Sequence, residues 1–81
     1  MIMAQDTTLL GQRAELIFNA LSALGPGWHS RPEIAGQIGA KRLQLLDAAA
    51  LDLLTMQGRI EAERHPINAP IRERWEYRIK E

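Results

Sequence analysis

Few side chains in this sequence have the type and spacing for covalent chemistry. A nucleophilic serine needs a histidine and a carboxylate arranged around it, and the spacing assembles no such set at Ser30. His29 and His65 stand far apart with no second pair of ligands near either, so no metal site is expected. Gly25-Pro26-Gly27 lacks the lysine and the Ser/Thr that a phosphate-cradling loop requires. There is no cysteine, which removes disulfides, thiolate metal sites and thiol nucleophiles together. Neither catalysis nor a cofactor is expected. What remains is the chemistry of association. Lys41, Arg42 and Gln44 in mid-chain, with Arg64, Arg72 and Arg74 near the end, can meet phosphates and base edges. Leu45, Leu51 and Met56 form a second candidate surface, one for another protein.

These residues must be positioned by a small number of elements. Leu10, Ala14, Ile17, Leu21 and Leu24 recur at spacings of four and three, with Phe18 widening the stripe, which predicts a first helix over about 7–24. Asp6 or Thr7 would cap it, and Gly25-Pro26 would stop it. Gly27 leads into Trp28 and His29, a connecting turn or minimal edge strand with Trp28 covering the core. Ser30-Arg31-Pro32-Glu33 has the spacing of a capping box, the serine hydroxyl and the glutamate carboxylate each satisfying the other's backbone N–H. A short second helix over 31–38 should follow, with Ile34, Ala35 and Ile38 inward and Gly39 at its end.

A third helix is expected over about 43–57, with Leu43, Leu46, Ala50, Leu53 and Leu54 in one sector and Gly58 closing it. If Asp47 caps it instead, residues 41–46 become an extended turn. Beyond Arg59 the hydrophobic period falls from 3.6 to 2. Ile71, Trp75, Tyr77 and Ile79 alternate with charged residues, and Ile60 and Ala62 alternate with Arg59, Glu61 and Glu63. Two strands follow, joined by a loop over 65–70 that holds two prolines. Keeping the apolar residues on one face requires an odd sum of paired residue numbers. A sum of 135 sets Ile60 opposite Trp75 and creates three opposite-charge pairs, Arg59 with Glu76, Glu61 with Arg74 and Glu63 with Arg72. It leaves Arg78 and Lys80 unpaired.

With 81 residues the chain has room for one core, so a single domain over 7–81 is expected, preceded by a disordered tail over 1–6. An apolar content of 46% is that of a folding chain. Ten basic residues balance ten acidic ones, so the global positive field that marks many nucleic-acid and membrane-surface binders is absent and any such activity must be local. The first ten residues lack a basic segment followed by an apolar run, and no stretch approaches the length of a membrane span. A cytoplasmic protein with no membrane partner is the expectation.

Helix, minimal strand, helix, helix, two-stranded hairpin is an α+β order. Ile34-Ala35 with Ile38-Gly39, then residues 43–58, then Arg59-Ile60-Glu61, resembles the winged helix, a helix-turn-helix with an appended β-ribbon, over nearly the whole chain. The resemblance implies double-stranded DNA as partner, as in most members, with the third helix in the major groove and the wing on the backbone or in the minor groove. The leading expectation is a DNA-binding module of transcription-regulator type, weak or dependent on dimerisation.

The sequence departs from that pattern in three places. The interval from Gly39 to Gly58 is long for the family. Asp47 and Asp52 would meet phosphates as like charges, with no Arg or Lys between Arg42 and Arg59 to offset them. The third helix is apolar on more than one face. The second expectation is therefore a winged helix that associates with protein, as a homodimer or with another partner, through Leu45, Leu51 and Met56 and without nucleic acid.

Overall fold

The computed structural model describes residues 8–67 and 72–80. Its elements run α1 (Leu9–Leu24), β1 (His29–Ser30), α2 (Arg31–Gln37), α3 (Leu45–Met56), β2 (Ile60–Pro66) and β3 (Glu73–Ile79). The class is α+β: three helices pack on a three-stranded antiparallel sheet ordered β1-β3-β2, and β2 and β3 form the C-terminal hairpin. This is the order expected from the sequence. The expected tail over 1–6, the caps Asp6 and Thr7, and the loop and strand positions 68–71 lie outside the described residues.

Local hydrogen bonds set the helix ends. Thr8 caps α1, its hydroxyl accepting the Gly11 N–H at 3.0 Å, so the helix begins two residues later than expected. At α2 the capping box is complete: the Glu33 N–H donates to Ser30 Oγ at 3.3 Å and the Ser30 N–H to Glu33 Oε1 at 2.8 Å. Gly58 ends α3 at φ 75°, its N–H on the Thr55 carbonyl and the Arg59 N–H on the Leu54 carbonyl. A side chain at that φ would be strained, which is why glycine stands there.

The start of α3 is the point on which the helices depend. The Gln44 N–H donates to Asp47 Oδ2 at 2.8 Å, so Asp47 acts from the third helical position and α3 starts at Leu45, two residues after the expected start at 43. Gln44 and not Asp47 is the N-cap, so the alternative of an extended turn over 41–46 does not hold and the connection runs over 38–44. The other Asp47 oxygen accepts from Arg13 Nε on α1, and Asp47 has no solvent exposure at all. Burial pushes its carboxyl upward. The hydrogen bonds from Arg13 and from the Gln44 N–H outweigh that, so the group is held below the usual carboxylate range. Fixing Asp47 inward rotates α3 so that Asp47, Ala50, Leu51 and Leu54, at spacings of three, one and three, form its buried face. Leu51 is therefore a core residue and no part of a protein interface, contrary to expectation. Around it pack Ala14, Ile17 and Leu21 of α1, Ile34 of α2, and Ile60 and Tyr77 of the hairpin.

The hairpin register also differs from the expected one. The sum of paired numbers is odd, as required, but it is 139: Ile60 faces Ile79, Ala62 faces Tyr77, Glu63 faces Glu76 and Arg64 faces Trp75. The charge pairs that favoured 135 contribute about 0.2–1 kcal/mol each. Burying a large apolar side chain contributes about 1.5–3 kcal/mol, and the observed register puts Tyr77 at 3% exposure beside Ile60 at 2%. Apolar burial wins. Trp75 moves toward the hairpin end, where it is 43% exposed, and Arg78, expected to be unpaired, meets Glu61. Trp28 does not cover the core; it lies on the opposite sheet face, with the Arg78 guanidinium 4.5 Å from its ring centroid. Arg59 anchors the start of β2 to α1 by pairing with Glu15 and stacking 4.2 Å from the Phe18 ring.

Removing one partner of a buried pair leaves a desolvated charge. Arg13→Ala should destabilise the fold at pH 7 by about 3 kcal/mol, measured by urea unfolding. Asp47 is depressed in the folded state, so the pair's contribution should be present above the ordinary aspartate pKa and be lost as pH falls through the lower folded value.

Candidate functional site

The residues proposed to contact nucleic acid fall into two groups. Lys41 and Arg42 lie exposed in the connection before α3, and Gln44 is its exposed N-cap. Arg64, Arg72 and Arg74 sit near the loop end of the hairpin, where the Ile67 N–H donates to the Arg72 carbonyl at 3.2 Å. No hydrogen bond or ion pair among the described residues joins the two groups.

Their charges are not equally available. Arg64 Nε lies 3.7 Å from Glu73, and its guanidinium sits 5.7 Å from the Trp75 ring centroid. Arg74 donates to Glu76 at 3.0 Å. Lys41, Arg42 and Arg72 face no carboxylate among the described residues. Burial of Asp47 changes the balance at α3. Of the two aspartates that counted against phosphate contact, one is inside and neutralised by Arg13, so only Asp52 remains on the surface.

The outward face of α3 is apolar apart from Asp52. Leu45 is 91% and Met56 84% exposed, Ala49 lies between them along the helix, and Leu46 is 39% exposed at the margin. The Thr55 hydroxyl donates to the Leu51 carbonyl at 2.8 Å, which leaves it only as an acceptor. Sequence reasoning placed Leu45 and Met56 outside the buried stripe, and there they are.

A polar cluster on the outer sheet face was missed. It joins Glu61, Glu63 and His65 of β2 to Arg74, Glu76 and Arg78 of β3, with Trp28 against the last of them. The alternation of charges gave the signal, but only the true register brings these residues together. An open groove of about 800 Å³ lies between the 25–27 turn and the strand ends, lined in part by Ser22, Glu61, Arg78 and Lys80. None of the cations proposed for nucleic acid lines it.

Neither family models, nor curated proteins, nor solved structures match this chain. Among the described residues no group of three or more His, Asp or Glu side chains is placed to hold a metal ion. No helix of the described residues is long and apolar enough to cross a membrane. The described surface offers exposed cations, one exposed aromatic ring and an apolar helix face, groups of the kinds found in binding interfaces.

Burial separates the three residues once grouped as an interface. Leu51→Ala should cost about 2–5 kcal/mol, while Leu45→Glu or Met56→Glu should change stability by no more than about 0.5 kcal/mol. Denaturation of the three variants measures both outcomes.

Proposed function

We propose that this chain is a non-catalytic module of winged-helix type that binds the backbone of double-stranded DNA, in the manner of a small transcription regulator. The observation that carries the reading is the inward turn of Asp47 onto Arg13, which leaves Lys41 and Arg42 at the entrance to α3 without a carboxylate partner among the described residues. Arg72 near the hairpin loop supplies a third cation that meets no carboxylate among the described residues. Arg64, stacked on the exposed Trp75, supports it. Gln44 beside Lys41 and Arg42 adds an amide able to read a base edge, as the two basic side chains themselves can. Affinity in this reading is chiefly electrostatic and low, because the chain's net charge is zero.

Fluorescence titration of a labelled duplex at several salt concentrations tests it. Three phosphate contacts predict a log–log slope of about −3, and Lys41→Gln/Arg42→Gln should weaken binding and flatten that slope by about 2. Absence of binding at low salt, or an unchanged slope in the double variant, would contradict the reading.

One observation favours a second reading, association with protein. Leu45 and Met56 stand 91% and 84% exposed on a helix face that carries no basic residue, a poor surface for a phosphate backbone and a good one for an apolar partner such as a second copy. Sedimentation velocity across concentration distinguishes it. Self-association abolished by Leu45→Glu supports it, and a monomer at every concentration rules out the second copy.

A further inference from the structure

Strands β2 and β3 set Glu63 directly opposite Glu76. Like charges so opposed destabilise an antiparallel ladder. His65 lies beside them on the same sheet face, its Nδ1 2.7 Å from Glu76 Oε1 and its Nε2 3.0 Å from Glu63 Oε1. Ionised carboxylates only accept, so both contacts are hydrogen bonds only when both ring nitrogens carry protons. The geometry is that of an imidazolium. The ring is held in place by an edge-to-face contact with Trp28, centroids 4.6 Å apart at 84°. Arg74 donates to the second oxygen of Glu76 at 3.0 Å, and Arg78 pairs with Glu61 one step along the ladder while lying over Trp28. Because the two glutamates engage different nitrogens of the ring, the three side chains do not converge on one ion.

We propose that His65 is a proton-operated clasp on the hairpin: doubly protonated, it holds β2 to β3 across Glu63 and Glu76, and loss of one proton leaves two carboxylates opposed. The bonds to Glu76 and then Glu63 raise the His65 pKa above its usual 6.5, and the same contact lowers that of Glu76. A value higher in the folded than in the unfolded chain means that the clasp stabilises fully below about 6.5. That stabilisation is lost as pH rises through the folded value. Carboxylates and guanidinium groups keep their charge through this window, so within the cluster the imidazole alone changes state. Loss of the proton removes one positive charge from the sheet and loosens the hairpin that carries Arg64, Arg72 and Arg74. The clasp does not depend on what the hairpin binds.

Imidazole ¹H–¹⁵N correlation spectra of the whole chain across the neutral range test it. Both His65 ring nitrogens should be protonated at the acid end, with a midpoint above 6.5 that falls in Glu76→Gln and falls further in Glu63→Gln/Glu76→Gln. Unfolding of His65→Gln should lose the pH dependence that the parent chain shows in that window. If that variant does not fold, the glutamine variants still decide, because they keep the histidine. A midpoint at or below 6.5 in the parent chain, or one that neither glutamate variant moves, would overturn the proposal.

Discussion

A carboxylate without solvent access organises this fold. Asp47 enters the core with one oxygen on the N-cap amide of its own helix and the other on Arg13 of α1. The two bonds act together, since the first decides where α3 begins and the second decides how it is turned. A charge buried at this depth is tolerated only when paired and hydrogen-bonded, so neither bond is dispensable to the other. Turning Asp47 inward brings Leu51 and Leu54 under it and sends Leu45 and Met56 out. The same rotation leaves Lys41 and Arg42 at the surface with Asp52 as the one aspartate of α3 outside. The character of the candidate surface is thus a consequence of one interior ion pair.

The hairpin is governed by a different competition. Its outer charges can be matched in several registers, each gaining little because the pairs are exposed. Its inner residues fit the helices in the one where Tyr77 and Ile79 lie opposite Ala62 and Ile60. Having chosen the register by burial, the chain must accept Glu63 opposite Glu76, and His65 with Arg74 supplies the positive charge that makes this tolerable. Trp75 is carried past the edge of the core and left partly open beside Arg64.

Features encoded by neighbours in sequence were legible. The capping box at Ser30 and Glu33, the glycine ending at Gly58 and the change of period after Arg59 are each settled within a few residues, and the α+β order followed from them. Features settled across the chain were not. Asp47 hides the stripe of α3 because a carboxylate among leucines reads as a surface residue, and only Arg13, far away in sequence, shows why it is inside. The register misled for a related reason: charge pairs can be counted on paper, whereas the depth of Tyr77 depends on helices whose placement the hairpin itself completes. Lys41, Arg42, Arg64, Arg72 and Arg74 were found from type alone, and the structure sorts them by which ones glutamates already hold.

The proposed binding surface draws on both the fold and the charge distribution. Its two exposed features, the entrance to α3 and the hairpin end, are built on a core fixed by Asp47 and Tyr77. The most direct measurement is a map of backbone amide shifts on addition of a short DNA duplex at low salt. The account predicts that the changes concentrate at residues 41–45 and around Arg64, Arg72 and Trp75, leaving the amides around the 25–27 turn unmoved. Changes confined to that turn and the adjoining groove, or no change at any duplex concentration, would contradict it.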